Sequence, residues 1–103
     1  MKALSPLLAL LVACAAGTIP VATQADAERA AASRPATTLA ELEQGRAIYL
    51  KRCSGCHRPV APDSIAADVW PAQVAKMKDR AHLTPDEEQL VLLYLTTLAS
   101  TPR

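Results

Sequence analysis

Cys53-Ser54-Gly55-Cys56-His57 is the stretch on which the fold turns, because two thiols and an imidazole at this spacing form the attachment signature of a c-type haem. One helical turn brings both sulfurs to one side of the chain, where each can form a thioether to a haem vinyl group. His57 then falls beneath the porphyrin as the proximal iron ligand. Other uses of two close cysteines fit less well. A redox dithiol would want strands alternating with helices around it, whereas the flanks here carry helical patterns. A zinc site needs four ligands, and past the leader only His82 and carboxylates remain to complete one. The motif therefore predicts one haem c, attached through Cys53 and Cys56, with His57 on its iron.

Upstream of the motif, Met1-Lys2 and the apolar run Ala3 to Ala16 read as a secretory leader, too short and too poorly flanked to span a membrane. Two processing routes fit it. Ala25-Asp26-Ala27 has small residues at both recognition positions, which predicts a signal peptide over residues 1–27 and a flexible tether over residues 28–37. Leu11-Val12-Ala13-Cys14 instead resembles a bacterial lipobox, which would make residues 1–13 the signal and Cys14 an acylated first residue anchored in lipid. The soluble route is preferred, since 13 residues make a short lipoprotein signal. Both routes export the chain, and c-type haem is attached outside the cytoplasm. The expected location is periplasmic, either soluble or anchored as a lipoprotein.

The folded part is then residues 38–103, small enough to need a staple beyond its own apolar surface. A covalently bound haem is such a staple. It also accounts for a chain with no Phe and only Trp70, Tyr49 and Tyr94 as aromatics, since the porphyrin supplies flat apolar area. A formal net charge of +1 over the whole chain gives no sign of nucleic-acid binding.

Three helices are expected. Thr38 with Glu41 forms a capping box that opens a helix running through Tyr49, with Leu42, Gly45 and Tyr49 along one stripe. Gly45 costs helix stability, so its expected use is to let another helix approach closely. Pro59, Pro62 and Asp63-Ser64 make Arg58 to Asp68 irregular, and the Pro62 carbonyl is a candidate partner for the second nitrogen of His57. A second helix starts near Asp68, tolerates Pro71 in its first turn, and ends around Arg80, burying Trp70, Val74, Met77 and Ala81. Trp70 is expected to touch the haem, by stacking beside it or by donating its indole proton to a propionate. The third helix opens on Thr84-Pro85 and Glu87, another capping box, and buries Leu90, Val91, Tyr94, Leu95 and Leu98.

Gly45, Tyr49, Cys53, Cys56 and His57, at successive spacings of four, four, three and one, together with a last helix carrying Tyr94-Leu95, resemble class I cytochromes c, the small monohaem electron-transfer family. The resemblance covers roughly Leu39 to Leu98. It implies an all-α, cytochrome c-like fold of three main helices wrapped around one covalently attached haem, with residues 38–103 as the cytochrome domain. Its terminal helices would cross at Gly45 and Tyr94. The family usually places a distal Met on a loop shortly before the last helix, whereas Met77 follows His57 by only 20 residues and lies in an expected helix. In this respect the chain looks more like shortened bacterial cytochrome c domains, found alone or attached to periplasmic dehydrogenases.

Met77 leads the candidates for distal metal ligand, being the one methionine left after the leader; His82 and an open position are the others. Thioether sulfur favours ferrous iron and raises the reduction potential. The expected function is single-electron transfer by an exported carrier, not an enzyme, with periplasmic or membrane redox proteins (a dehydrogenase, an oxidase or a bc-type complex) as partners. Lys51, Arg52 and Arg58, with Lys76, Lys78 and Arg80, suggest a basic rim for an acidic partner. The competing functions are a peroxidase or gas sensor with an open or His-ligated iron, and an electron-transfer subunit of a larger periplasmic dehydrogenase.

Overall fold

The computed structural model describes residues 19–53 and 58–100, and within them the chain is all-helical. Four α-helices run in the order α1 (Gln24–Ala31), α2 (Leu39–Ile48), α3 (Trp70–Met77) and α4 (Pro85–Ala99). A π-helical turn, Tyr49–Cys53, extends α2, and two 3₁₀ turns, Pro62–Ser64 and Ala67–Val69, lead into α3. No helix among the described residues is long and apolar enough to cross a membrane. Cys14 and the segment Ser54 to His57 lie outside the described residues.

Local chemistry sets most of the helix starts. The Thr38 hydroxyl accepts from the Glu41 amide at 3.1 Å while the Glu41 carboxylate accepts from the Thr38 amide at 3.0 Å. The same reciprocal box joins Thr84 and Glu87 at 3.1 and 3.0 Å, with Pro85 at the first helical position, where a missing N–H costs nothing. The Thr84 amide, then Arg52, hold the Glu87 carboxyl below the usual carboxylate range. The end of α3 is equally specific. Leu83 donates to the Lys78 carbonyl and His82 to the Asp79 carbonyl, the paired bonds of a Schellman cap, and His82 takes the left-handed position at φ 57°. Helix α3 itself ends at Met77, short of the Arg80 expected from the sequence, and this cap closes the turn that continues from it.

Packing centres on the pair α2 and α4. Leu42, Gly45 and Tyr49 are all buried on one stripe of α2, facing Val91, Tyr94, Leu95 and Leu98 of α4. Gly45 sits where the helices come closest: a Cβ there would collide with the Leu90 carbonyl and lie 2.9 Å from the Tyr94 Cβ. The crossing expected at Gly45 and Tyr94 is thus present in backbone terms. Leu90 meets α2 through its carbonyl, and its side chain is half-buried. Helix α3 packs on α4 from another side, burying Trp70 and Val74, with Met77 and Ala81 half-buried at the end of the same stripe.

The sequence places the end of a leader at Ala27 and a tether over residues 28–37; across that boundary the chain forms α1. Thr23 and Asp26 close a capping box, the Thr23 amide donating to Asp26 at 2.8 Å and the Asp26 amide to the Thr23 hydroxyl at 3.2 Å. Ile19, Ala22, Ala27 and Ala30 belong to the core, and Asp26 is buried with its carboxylate on Arg29 at 3.0 Å. The helix leaves little mark on the sequence because its buried residues are mostly alanines, which give no stripe of large side chains, and because its box uses Asp rather than Glu at the third position. Its presence explains why α4 is buried more widely than the apolar stripe alone implies. Leu93 and Thr97, four residues apart, line a second flank on which α1 packs, and Arg29 donates to the Thr97 carbonyl at 3.0 Å.

The crossing and its aromatic filling make two predictions. Gly45→Ala gains helix propensity worth about 1 kcal/mol, but it forces a side chain against backbone. With an overpacking cost of about 3 kcal/mol, the upper end of the usual range, denaturant unfolding should show a net loss of about 2 kcal/mol. The second prediction concerns both tyrosines of the chain. Burial pushes the Tyr49 phenol up to about 12, and burial raises Tyr94 as well. A raised phenol favours the neutral form in the fold, so this stability is complete below the ordinary value of 10.0 and is lost as pH climbs through about 12. Alkaline titration should show no tyrosinate absorbance near pH 10.0, and its appearance at higher pH should coincide with loss of helical circular dichroism.

Candidate functional site

Cys53 stands at the last position of the π-helical turn that ends α2. A π turn inserts one extra residue, so the segment beyond it leaves in a different phase from the helix before it, and such turns concentrate at functional sites. The consequence here is a cavity of about 170 Å³ lined by Tyr49, Cys53, Val60, Ile65, Trp70, Gln73 and Met77. Cys53 arrives from α2, Val60 and Ile65 from the irregular segment after the motif, and Trp70, Gln73 and Met77 from successive turns of α3. A larger hollow of about 540 Å³, between Arg34–Thr37 and the start of α4, is lined mostly by polar side chains and shares no residue with the first. The thiol of the motif lies on the smaller one.

Two hydrogen-bonded clamps fix the chain on either side of Cys56 and His57, which lie outside the described residues. The Tyr49 hydroxyl donates to the Val60 carbonyl at 2.7 Å and accepts from the Val60 amide at 3.1 Å, so one phenol satisfies both polar groups of a single loop residue. Tyr49 precedes Cys53 by four residues, and Val60 follows His57 by three. The residues that flank the motif are thereby pinned to each other. On the other side, Arg52 donates to the carbonyls of Ala81 and His82 at 3.3 and 2.8 Å and meets the Glu87 carboxylate at 3.0 Å. This fork holds the residue before Cys53 against the turn between α3 and α4. Sequence alone suggests only that Tyr49 shares a stripe with Gly45 and that Arg52 belongs to a basic rim. Neither clamp is visible there because each partner lies many residues away, though a buried tyrosine usually calls for a hydrogen-bond partner.

Trp70 is 1 % exposed, lines the cavity, and packs its ring edge-on to Tyr49 with centroids 6.1 Å apart. Its indole N–H donates to the Pro62 carbonyl at 2.8 Å, inside the protein. The indole proton therefore goes to the backbone of the preceding 3₁₀ turn. The Pro62 carbonyl, the candidate partner for the second nitrogen of His57, uses one of its two lone pairs on Trp70, and His57 lies outside the described residues. The pair anchors the irregular segment onto α3.

Met77 is half-buried and shares the cavity wall with Cys53. His82 is exposed, does not line the cavity, and serves the backbone turn that caps α3. Of the basic residues flanking the site, Lys51, Lys76 and Arg80 are exposed, whereas Arg52 is spent on its clamp and Lys78 approaches Glu88 at 3.8 Å. Gln73 is a cavity residue with no signal in the sequence. It stands between Trp70 and Met77 on α3 and brings an amide to an otherwise mostly apolar wall.

The donor set suits a haem in the part of the site that is described. A thiol that can form a thioether and a soft sulfur that can bind iron face one apolar space, with an indole and a phenol ring behind it. No family model matches the chain, and no solved structure matches it. Among curated proteins, the chain is 34% identical over 53 residues to the cytochrome c-type protein TorY of Haemophilus influenzae, a stretch covering 52% of this chain and 14% of that protein. The chain therefore spans a small part of its relative's length, and what it shares with that protein is similarity to a c-type cytochrome.

Proposed function

We propose that this chain is an exported monohaem c-type cytochrome that carries single electrons. The observation that supports this reading best is the meeting of Cys53 and Met77 on one apolar cavity immediately before the Cys56-His57 pair. The similarity to a c-type cytochrome supports it independently. In this reading Cys53 and Cys56 would hold the haem covalently, and His57 and Met77 would ligate its iron. The bound haem supplies a one-electron couple between ferric and ferrous iron.

The work of the polypeptide is positional. The Tyr49 clamp on Val60 and the Arg52 fork on the α3–α4 turn hold the chain that flanks the motif. Helix α3 packs on α4 with Trp70 and Val74 buried, and it carries Met77 into the cavity lining. Buried Trp70 and half-buried Ile65 line the cavity with apolar surface, which would favour the less charged ferrous state of a bound haem. Electron exchange would occur with periplasmic or membrane redox proteins through a small, brief contact. The much greater length of the relative also favours a second reading, in which a domain of this kind works as an electron-transfer subunit of a larger assembly.

Protein matured in a host that attaches c-type haem should show a low-spin ferric spectrum with the weak near-infrared band of sulfur bound to iron. Met77→Ala should abolish that band while retaining covalent haem, and the paired change Cys53→Ala with Cys56→Ala should yield colourless protein. A high-spin ferric spectrum in the unaltered chain, or a band indifferent to Met77→Ala, would overturn Met77 as ligand.

A further inference from the structure

We infer that the exported protein is cut upstream of Ile19 and retains Ile19–Ala31 as a working part of the domain. This inference rests on the export reading above. The sequence presents Ala25-Asp26-Ala27 as an acceptable end for a leader, and a cut there would release a chain starting at Glu28. The fold gives that segment another use.

Residues 19–27 are tied to the crossing of α2 and α4 by bonds that no other part of the described chain replaces. The Ile19 carbonyl accepts two N–H bonds from Arg46 of α2, at 3.3 and 3.0 Å. The Ala22 amide donates to the Glu43 carboxylate at 2.7 Å, one turn earlier on the same helix. The hydroxyl of Tyr94, a residue with no exposed surface, donates to the Pro20 carbonyl. Tyr94 is the residue packed against Gly45, so the segment leading into α1 completes the polar needs of the same contact that joins the two main helices. Below it, Ile19, Ala22 and Ala27 are core residues, and Asp26 caps α1 while holding Arg29, which in turn reaches the Thr97 carbonyl of α4.

Cleavage after Ala27 would remove the acceptor of a buried phenol and the backbone partners of both Glu43 and Arg46. It would also cut α1 after its fourth residue, leaving Ala30 and Arg29 on a frayed end. Ala27, at 2 % exposure inside a capped helix, is a core residue of the folded domain, so a leader ending there would take part of the core with it. Upstream of Ile19 the sequence keeps small residues suited to processing, in Ala13-Cys14-Ala15-Ala16-Gly17, and the lipobox-like Leu11-Val12-Ala13-Cys14 overlaps them.

The test is the first residue of the mature protein, read by intact mass and terminal peptide mapping after expression of the full chain in an exporting host that attaches c-type haem. A start between Cys14 and Thr18 is expected, whether as an acylated Cys14 or as an unmodified residue, and Cys14→Ser distinguishes the two by the loss or persistence of the mature mass. A start at Glu28, or an uncut chain beginning at Met1, overturns the inference. Ala25→Leu adds a second reading at an exposed position. It blocks the small-residue recognition needed for a cut after Ala27, so unchanged processing is expected and accumulation of precursor would count against the proposal. The readout does not depend on haem. Colourless protein with an upstream start would defeat the cytochrome reading alone, and coloured protein starting at Glu28 would defeat this inference alone.

Discussion

The close approach of α2 and α4 at Gly45 is the constraint from which the rest of the structure hangs. Because the glycine carries no Cβ, the Leu90 carbonyl and the Tyr94 Cβ can lie directly against the α2 backbone. That depth of contact brings Leu42 and Tyr49, one turn to either side, into the interior with Val91 and Leu95. A larger residue would hold the helices apart, and each of the interior contacts would loosen together. The gain offsets the helix-propensity cost of about 1 kcal/mol that glycine carries, since packing at this depth involves several fully buried side chains, each worth about 1.5–3 kcal/mol.

From that crossing the structure passes to the site through tyrosine. Tyr49 lies one turn beyond Gly45 and contacts both Tyr94 and Trp70, with ring centroids 6.4 and 6.1 Å away. Its hydroxyl then binds the loop that returns from the attachment motif. Tyr94 repeats the arrangement in the opposite direction, with its ring in the crossing and its hydroxyl on Pro20. Two phenols thus couple the central helix pair to two irregular segments of the chain, one bearing the chemistry and the other the N-terminal strap. In a protein with three aromatic side chains, these buried rings serve both as core volume and as hydrogen-bonding posts.

The residue that leads into Cys53 is held just as firmly. Arg52 spends its guanidinium on two carbonyls at the α3–α4 turn and on Glu87, so the end of α3 and the start of α4 are fixed to the residue before Cys53. The Schellman cap at His82 presents those carbonyls in the right direction, because its left-handed residue turns the chain sharply after α3. Cys53 and Met77 line one cavity, and a displacement at either clamp would alter the spacing between them.

What the sequence determined by itself was whatever depends on neighbours within one or two turns. The capping boxes at Thr38 and Thr84, the place of Pro71 and Pro85 in first turns, the buried stripes of α2 and α3, and the chemistry of Cys53-Ser54-Gly55-Cys56-His57 are all local patterns, and the residues carry them openly. Only the tertiary structure decided what those elements are for. Tyr49 and Val60 are eleven residues apart, Arg52 and His82 thirty, and Tyr94 and Pro20 seventy-four, so no periodicity announces their bonds. The same reason hid α1: a helix whose buried face is alanine has almost no apolar signature, and it is stable because α2 and α4 are there to receive it.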